Sequence, residues 1–274
     1  MSRPFDIRVR PIPDWLDWKR LLGPGSWQSV ELTDGHLEVT GQLDRKAAAD
    51  LSARLRGVGV GGSLLELEVR PPLHRKELRQ AATEEARRYR KGSTGFSRKG
   101  TRLDAEGKFS LTPEALAVEL GERACGMKVV DACAGAGGNA IGFARAGCRV
   151  LAIELDEARL AMARHNAKVY GVEDRIEFVC GDALDVVPGA KADLLFVDPP
   201  WGERYDKARV ALADLAPCES LLAASPHIGR AWLKVPPSFD PATLPGCAVE
   251  AFFGNGSGDS RRVKFLLVES GPAC

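Results

Sequence analysis

No stretch of this 274-residue chain approaches the roughly 20 consecutive apolar residues that a membrane-spanning helix needs. Residues 1–6, Met-Ser-Arg-Pro-Phe-Asp, lack the apolar core of a secretory signal. The expected setting is a reducing cytoplasm, with no membrane partner. The seven cysteines stand singly, without a C-x-x-C pair and without a histidine at ligand spacing, which argues against a metal centre. Thiols in apolar context, such as Val179-Cys180 and Gly147-Cys148, are expected to be buried as small hydrophobes. There is no G-K-[ST] sequence, which disfavours a phosphate-binding P-loop. A net charge of only +1 removes any global electrostatic argument for a nucleic-acid partner.

What charge there is lies unevenly. Between residues 75 and 102 there are ten Lys or Arg (75, 76, 79, 87, 88, 90, 91, 98, 99, 102) and three acids (77, 84, 85), a local balance of +7. A solvated linker helix is the ordinary reading of such a run. The interleaved Tyr89 and Phe96 bring phosphate binding level with it.

Ahead of this run, residues 1–72 read as a small α+β domain. Residues 26–32 and 36–40 flank Asp34-Gly35, a hairpin signal. Residues 44–56 have helical periodicity, 57–62 break it, and 63–69 alternate as a half-buried strand should, which gives ββαβ. Residues 73–108 form a basic connector whose helix runs from about 73 to 89, after Pro71-Pro72 stops the strand. Thr112-Pro113-Glu114 reads as a helix start, with Thr at the N-cap and Pro at the first position. Strand-like runs follow at 127–132, 149–153, 176–180, 194–197, 231–235, 248–252 and 264–268, with room for helices between the first five. That alternation predicts an α/β domain over 109–274, a doubly wound parallel sheet with an antiparallel hairpin at one edge.

Two constellations carry chemistry. In residues 129–140, a strand ending at Asp131 enters the small-residue loop Ala132-Cys133-Ala134-Gly135-Ala136-Gly137-Gly138, and a helix beginning near Asn139 follows. Glycines let backbone approach a ligand, and the helix N-terminus favours an anionic group. A purely structural turn would look similar, but Glu154 ends the next strand, 23 residues on, and Asp182 follows the strand after that. All three acids then fall at the carboxyl edge of the sheet. Glu154 is placed to accept from ribose hydroxyls, and Asp182 from an adenine amino group beside the Ala183 N–H. An acid at the loop entrance, Asp131, suits a cationic ligand: the amino and sulfonium groups of S-adenosylmethionine. NAD is the weaker competitor.

The second constellation is Asp198-Pro199-Pro200-Trp201, which closes the apolar run at 192–197. The Asp198 carboxylate and the carbonyl between the prolines are two acceptors for a planar NH2, and the Trp201 indole is a stacking surface for its ring. The motif points to methylation of a base amine, with Tyr205 and Arg204 at the substrate entrance. A core role for Trp201 and a capping role for Asp198 are the structural alternatives. His165 is expected on a helix surface, outside the chemistry.

Residues 102–114, the loop from Val130-Asp131, residues 153–156 with 161–171, and residues 178–182 resemble the trimethylguanosine synthases, the RNA cap guanine-N2 methyltransferases. The resemblance covers residues 88–206 closely, the C-terminal strands loosely and residues 1–72 not at all. It implies a class I methyltransferase fold, Rossmann-like, with seven strands of which the last is antiparallel. S-adenosylmethionine would be converted to S-adenosylhomocysteine, with guanine N2 in RNA or in a 7-methylguanosine cap-like nucleotide as acceptor and Trp201 stacked on the base. It further implies that residues 109–113 fold over the cofactor, bringing in Phe109, Thr112 and Pro113, and that Arg102 and Lys99 meet substrate phosphates. The chain departs from the family in three places. Asp198 replaces the usual serine, Gly202-Glu203 replaces Gly-Gly, and Val235-Pro236-Pro237-Ser238 replaces a phosphate-binding arginine, which leaves Lys234 as the cation there. Methyl transfer to adenine N6 or to a small-molecule amine is the enzymatic alternative, and a non-catalytic cofactor- or RNA-binding subunit the other. The chain is expected to act as a monomer.

Overall fold

A computed structural model describes residues 4–105, 107–202 and 205–271. Glu203, Arg204 and Cys274 lie outside the described residues. The N-terminal domain is a four-stranded antiparallel sheet in the order β2-β3-β1-β6, formed by β1 (Phe5–Pro13), β2 (Ser26–Thr33), β3 (His36–Leu43) and β6 (Glu66–Arg70). Between them lie α1 (Trp18–Leu22), α2 (Arg45–Leu55) and the two-residue ladder of β4 (Gly59–Val60) and β5 (Ser63–Leu64).

The ββαβ expectation missed β1, an inner strand of this sheet. Its Phe5, Ile7 and Val9 alternate inward as a strand requires, but Pro11 and Pro13 read as loop. The register shifts between Val9 and Ile12, so Pro11, which has no N–H to give, falls in the irregularity. Asp44 caps α2 by accepting from the Ala47 N–H at 2.8 Å, and Leu51 and Leu55 are buried beneath it.

Helix α3 (Arg75–Tyr89) follows and is fastened to α2 by Arg45–Glu77 and Arg88–Asp50 ion pairs. Then come α4 (Gly107–Ser110), α5 (Glu114–Arg123), β7 (Lys128–Asp131), α6 (Gly138–Arg145), β8 (Arg149–Glu154), α7 (Glu157–Tyr170), β9 (Ile176–Cys180), α8 (Ala183–Val186), β10 (Leu194–Val197), α9 (Cys218–Ala224), β11 (Ala231–Val235), β12 (Ala248–Phe253) and β13 (Val263–Ser270). The seven strands run in the order β12-β13-β11-β10-β7-β8-β9, and β13 inserts antiparallel between β11 and β12. The predicted α/β sheet is present, with the hairpin at its edge. Strand order reverses between β7 and β10, so the crevice at their carboxyl ends, beyond Asp131 and Asp198, is where such a sheet binds ligands. Every residue of β10 is buried.

Helix α5 begins one residue later than its sequence suggests. Pro113 occupies the N-cap, and the Thr112 hydroxyl caps nothing. The helix is instead held by Glu114, whose carboxylate accepts from Tyr170 Oη at 2.7 Å, the Ser97 N–H and Arg145 Nη1. Burial alone would raise its pKa, but these bonds outweigh it and hold the group at about 2. The connector beyond Tyr89 runs through turns and bends and is pinned twice. Asp259 accepts from the Ser93 N–H and hydroxyl, and Asn166, fully buried, bonds both the N–H and the carbonyl of Arg102.

The two domains share a seam. Phe253 of β12 is buried in the N-terminal core, and the Gly61 N–H donates to the Pro237 carbonyl at 2.9 Å. No described helix is long and apolar enough to cross a membrane. Of the six described cysteines only Cys148 and Cys218 are buried, against the expectation of general burial; Cys180 ends the edge strand β9 and Cys125 follows α5.

Helices α5 and α6 cross with backbones touching, because a Cβ on Gly142 would collide with the Ala117 carbonyl and one on Gly121 with Ala146. An exposed helical Gly→Ala change gains up to about 1 kcal/mol, whereas overpacking a core costs roughly 1–3 kcal/mol. Gly142→Ala is therefore expected to lower stability in urea unfolding; an unchanged or higher midpoint would refute backbone contact at this crossing.

Candidate functional site

Strand β7 delivers Asp131 to the switch point with no solvent exposure, and neither of its carboxylate oxygens has a hydrogen-bond partner. Burial, then the Asp198 charge, then that of Glu154, push its pKa up to about 8. The Cys133 and Ala140 N–H groups ease this without closing a hydrogen bond. The loop beyond it turns through Gly135 (φ 52°) and Gly137 (φ 89°), the left-handed N-cap of α6. A side chain on Gly137 would press on Ala163, whereas a Cβ on Gly135 would meet nothing within 4 Å. The loop is open where a ligand would pass and closed against α7.

Thr112 and Asn139 repeat the pattern of Asp131. Both are buried, and Thr112 Oγ1 and Asn139 Oδ1 lack partners. Buried polar atoms are almost always satisfied in folded chains. Among the described residues six such side-chain atoms are unsatisfied, and four belong to Thr112, Asp131 and Asn139, all predicted to hold the cofactor. Together they leave hydrogen-bonding capacity unused at the switch point, and these oxygens suit a ligand that carries an ammonium group and hydroxyls. Leu111 lies against Gly138, so the segment leading into α5 forms a wall over the start of α6.

The remaining predicted cofactor residues follow the carboxyl edge. Glu154 is half-buried and pre-oriented, with one oxygen accepting from the Gly135 N–H at 2.7 Å and the other from the Asp156 N–H at 3.0 Å. Asp182 caps α8 through the Leu184 N–H, with Ala183 buried beside it. Ala132 is buried with its N–H donated to the Phe196 carbonyl, and Cys133 is a half-buried thiol kept neutral by burial and the neighbouring Asp131. Pro113 is buried, but the Phe109 ring stands 91% exposed on α4, so it does not cover the loop.

On the substrate side, Pro199 is buried and Pro200 exposed. Asp198 Oδ2 accepts from Asn139 Nδ2 at 2.9 Å and from Lys234 Nζ at 2.7 Å. The half-buried Trp201 meets Tyr205 edge-on at 5.8 Å and donates its Nε1–H to the Lys234 carbonyl at 3.3 Å. Here one expectation is corrected. Lys234 is 4% exposed, ion-paired to Asp198 and seated on the Trp201 ring, so it cannot reach substrate phosphate; it holds the two residues that would receive the base. Lys99 and Arg102 are exposed, as phosphate contacts need to be. His165 is a surface residue bonding the Gly100 carbonyl.

Sequence reasoning passed over two residues. Asn166 ties the connector to the Ala136 carbonyl of the Gly-rich loop. Leu155, 73% exposed directly after Glu154, offers an apolar surface at the carboxyl edge of the sheet, and an apolar residue just past the acid was the available signal. Tyr89, noted in the basic run, carries the Arg262 and Lys264 cations on its ring, which only the tertiary fold reveals.

Residues 126–215 match the family described as RNA cap guanine-N2 methyltransferase. The chain is 37% identical over 136 residues to the trimethylguanosine synthase of Schizosaccharomyces pombe, covering 44% of this chain and 56% of that protein. It is 34% identical over 134 residues to the ribosomal RNA small subunit methyltransferase J of Rhodopseudomonas palustris, covering 42% of this chain and 62% of that one. The chain thus spans between half and two-thirds of the length of these relatives. A putative methyltransferase from Porphyromonas gingivalis W83 shares the fold, with a TM-score of 0.51 at 18% identity, covering 82% of this chain and 57% of that one. The resemblance to the trimethylguanosine synthases holds, and the fold is that of S-adenosylmethionine-dependent methyltransferases.

Asp131 supplies a test. Its folded pKa, about 8, lies above the ordinary 3.8, so the folded state binds the extra proton and this group's contribution to stability falls as pH rises from 3.8 to 8. Asp131→Asn is expected to melt higher than wild type at pH 8 without ligand, and to lose the upward thermal shift that S-adenosylhomocysteine produces in wild type. A variant that keeps the full ligand shift would remove Asp131 from the pocket.

Proposed function

We propose that the chain is an S-adenosylmethionine-dependent N-methyltransferase acting on the exocyclic N2 amine of a guanine, in RNA or in a 7-methylguanosine cap-like nucleotide. One observation carries the reading: the 2.9 Å bond from Asn139 Nδ2 to Asp198 Oδ2. It joins a pocket of unsatisfied polar groups to a strand end built to hold a planar amine. Asn139 also keeps its free Oδ1 on the pocket side.

Bound in that pocket, S-adenosylmethionine would supply a methyl group already activated by its sulfonium centre. Asp131 would take its ammonium, Glu154 its ribose hydroxyls, and Asp182 with the Ala183 N–H its adenine edge. The base would lie on Trp201, with its NH2 donating to Asp198 and to the Pro199 carbonyl. Lys234 and Asn139 both occupy Oδ2 of Asp198, which leaves Oδ1 for the amine. Stacking contributes roughly 1–3 kcal/mol, enough to orient a base and too little to bind it tightly. The remaining gain is positioning for in-line transfer. No strong base is required, because the amine turns acidic once methylated.

The aspartate at the motif's first position favours a second reading, adenine N6, because a carboxylate accepts from either amine. A labelled-methyl assay across capped RNA, 7-methyl-GTP, GTP, tRNA and rRNA, with nucleoside analysis of the product, separates the two. N2-methylguanosine is the expected product; label only in N6-methyladenosine, or in no guanine-containing substrate, would overturn the guanine assignment. Trp201→Ala is expected to lower kcat/KM by about 5- to 150-fold, the kinetic equivalent of one lost stack. The thermal shift with S-adenosylhomocysteine should survive that change, and its loss would place Trp201 in the cofactor half instead.

A further inference from the structure

A cleft lies away from the switch point, on the seam between the domains. It has a volume of about 550 Å³ and is lined by Lys19, Arg20, Trp27, Ser260 and Arg261 around the Gly23-Pro24-Gly25 turn, with no carboxylate in its wall. Arg20 is partly spent, donating to the Ser260 and Gly254 carbonyls and so closing the seam. Lys19 and Arg261 are exposed and have no acidic partner among the described residues. Behind them Arg54 is buried, its Nε unsatisfied, and burial followed by the Arg261 charge pushes its pKa down, partly offset by Glu85.

We propose that this cleft binds the phosphodiester backbone of the RNA whose base enters at Trp201, as a second contact remote from the methylated nucleotide. The inference rests on the RNA reading above and deepens it. A continuous run of contacts joins the two places. Lys234 lies over both the Trp201 and the Phe265 rings, at 5.2 and 5.5 Å, and Phe265 directly follows Lys264 in β13. Arg262 and Lys264 stack on the Tyr89 ring at 4.9 and 5.1 Å. Arg262 belongs to the β12–β13 loop that supplies Ser260 and Arg261 to the cleft. Arg90 and Lys91, exposed at the end of α3, extend the basic track. Phosphate contacts of this kind position a strand without reading its sequence.

The test is binding of a labelled, guanine-containing RNA oligonucleotide to the full chain over a salt series, with methylation kinetics on the same RNA. Lys19→Gln with Arg261→Gln is expected to weaken binding at every sequence and to lower the slope of log affinity on log salt by about 0.7 for each cation removed. KM for RNA should rise severalfold while kcat and the melting temperature hold. Arg261→Lys, which keeps the charge, should restore most of the affinity in the Lys19 wild-type background. If wild type binds and methylates RNA but the double variant matches it in affinity and salt slope, the cleft proposal fails and the RNA reading stands. If wild type binds no RNA while methylating a free guanine nucleotide, both the cleft and the RNA substrate are overturned.

Discussion

An acid with nothing to bind sits at the centre of this molecule. Asp131 is fully enclosed, its oxygens unmatched, within the field of two more carboxylates. An isolated ionised carboxylate in such a place is costly enough that it neutralises instead. The protein tolerates it because the neighbouring Asp198 is itself held by Lys234 and Asn139. The Asp198–Lys234 pair thus serves two ends: it fixes the amine acceptor, and it sets a cation beside one of the two carboxylates that press on Asp131.

The scaffold meets this constraint with rigidity rather than with further charge. Strand β10 is buried along its whole length, and α5 and α6 touch backbone to backbone. The connector is fastened at Ser93, Ser97 and Arg102 by Asp259, Glu114 and Asn166. A carboxylate with a displaced pKa is useful only if its surroundings cannot relax around it.

Much of this was legible in the chain. The seven strand-like runs, the acids at the ends of β7 and β8, and the Asp-Pro-Pro-Trp closure of β10 are local patterns with local causes, and they fell where periodicity and turn chemistry placed them. Three things were not legible. Strand β1 hides behind two prolines whose tolerance depends on a register shift with β3. Lys234 looks like a free cation because its partner lies 36 residues away in sequence. Thr112 looks like a helix cap because the hydroxyl is well placed in sequence, yet Pro113 takes the cap and leaves that oxygen buried without a partner. In each case a tertiary contact overrode a sound local rule.

The seam on the substrate side has a further consequence. Gly59, Gly61 and Gly62 bring the N-terminal β4–β5 turn against the Lys207 carbonyl, the Pro237 carbonyl and Asp240. Val210 and Ser238 lace those two loops together, so the turn acts as their back wall. Because this joint is made from main chain and missing side chains, it places almost no demand on residue identity beyond smallness. Along this turn the facing loops can change side chains without disturbing the joint, so long as those three positions stay bare; elsewhere the hold depends on particular side chains, Phe253 in the N-terminal core and Arg20 on the Ser260 and Gly254 carbonyls.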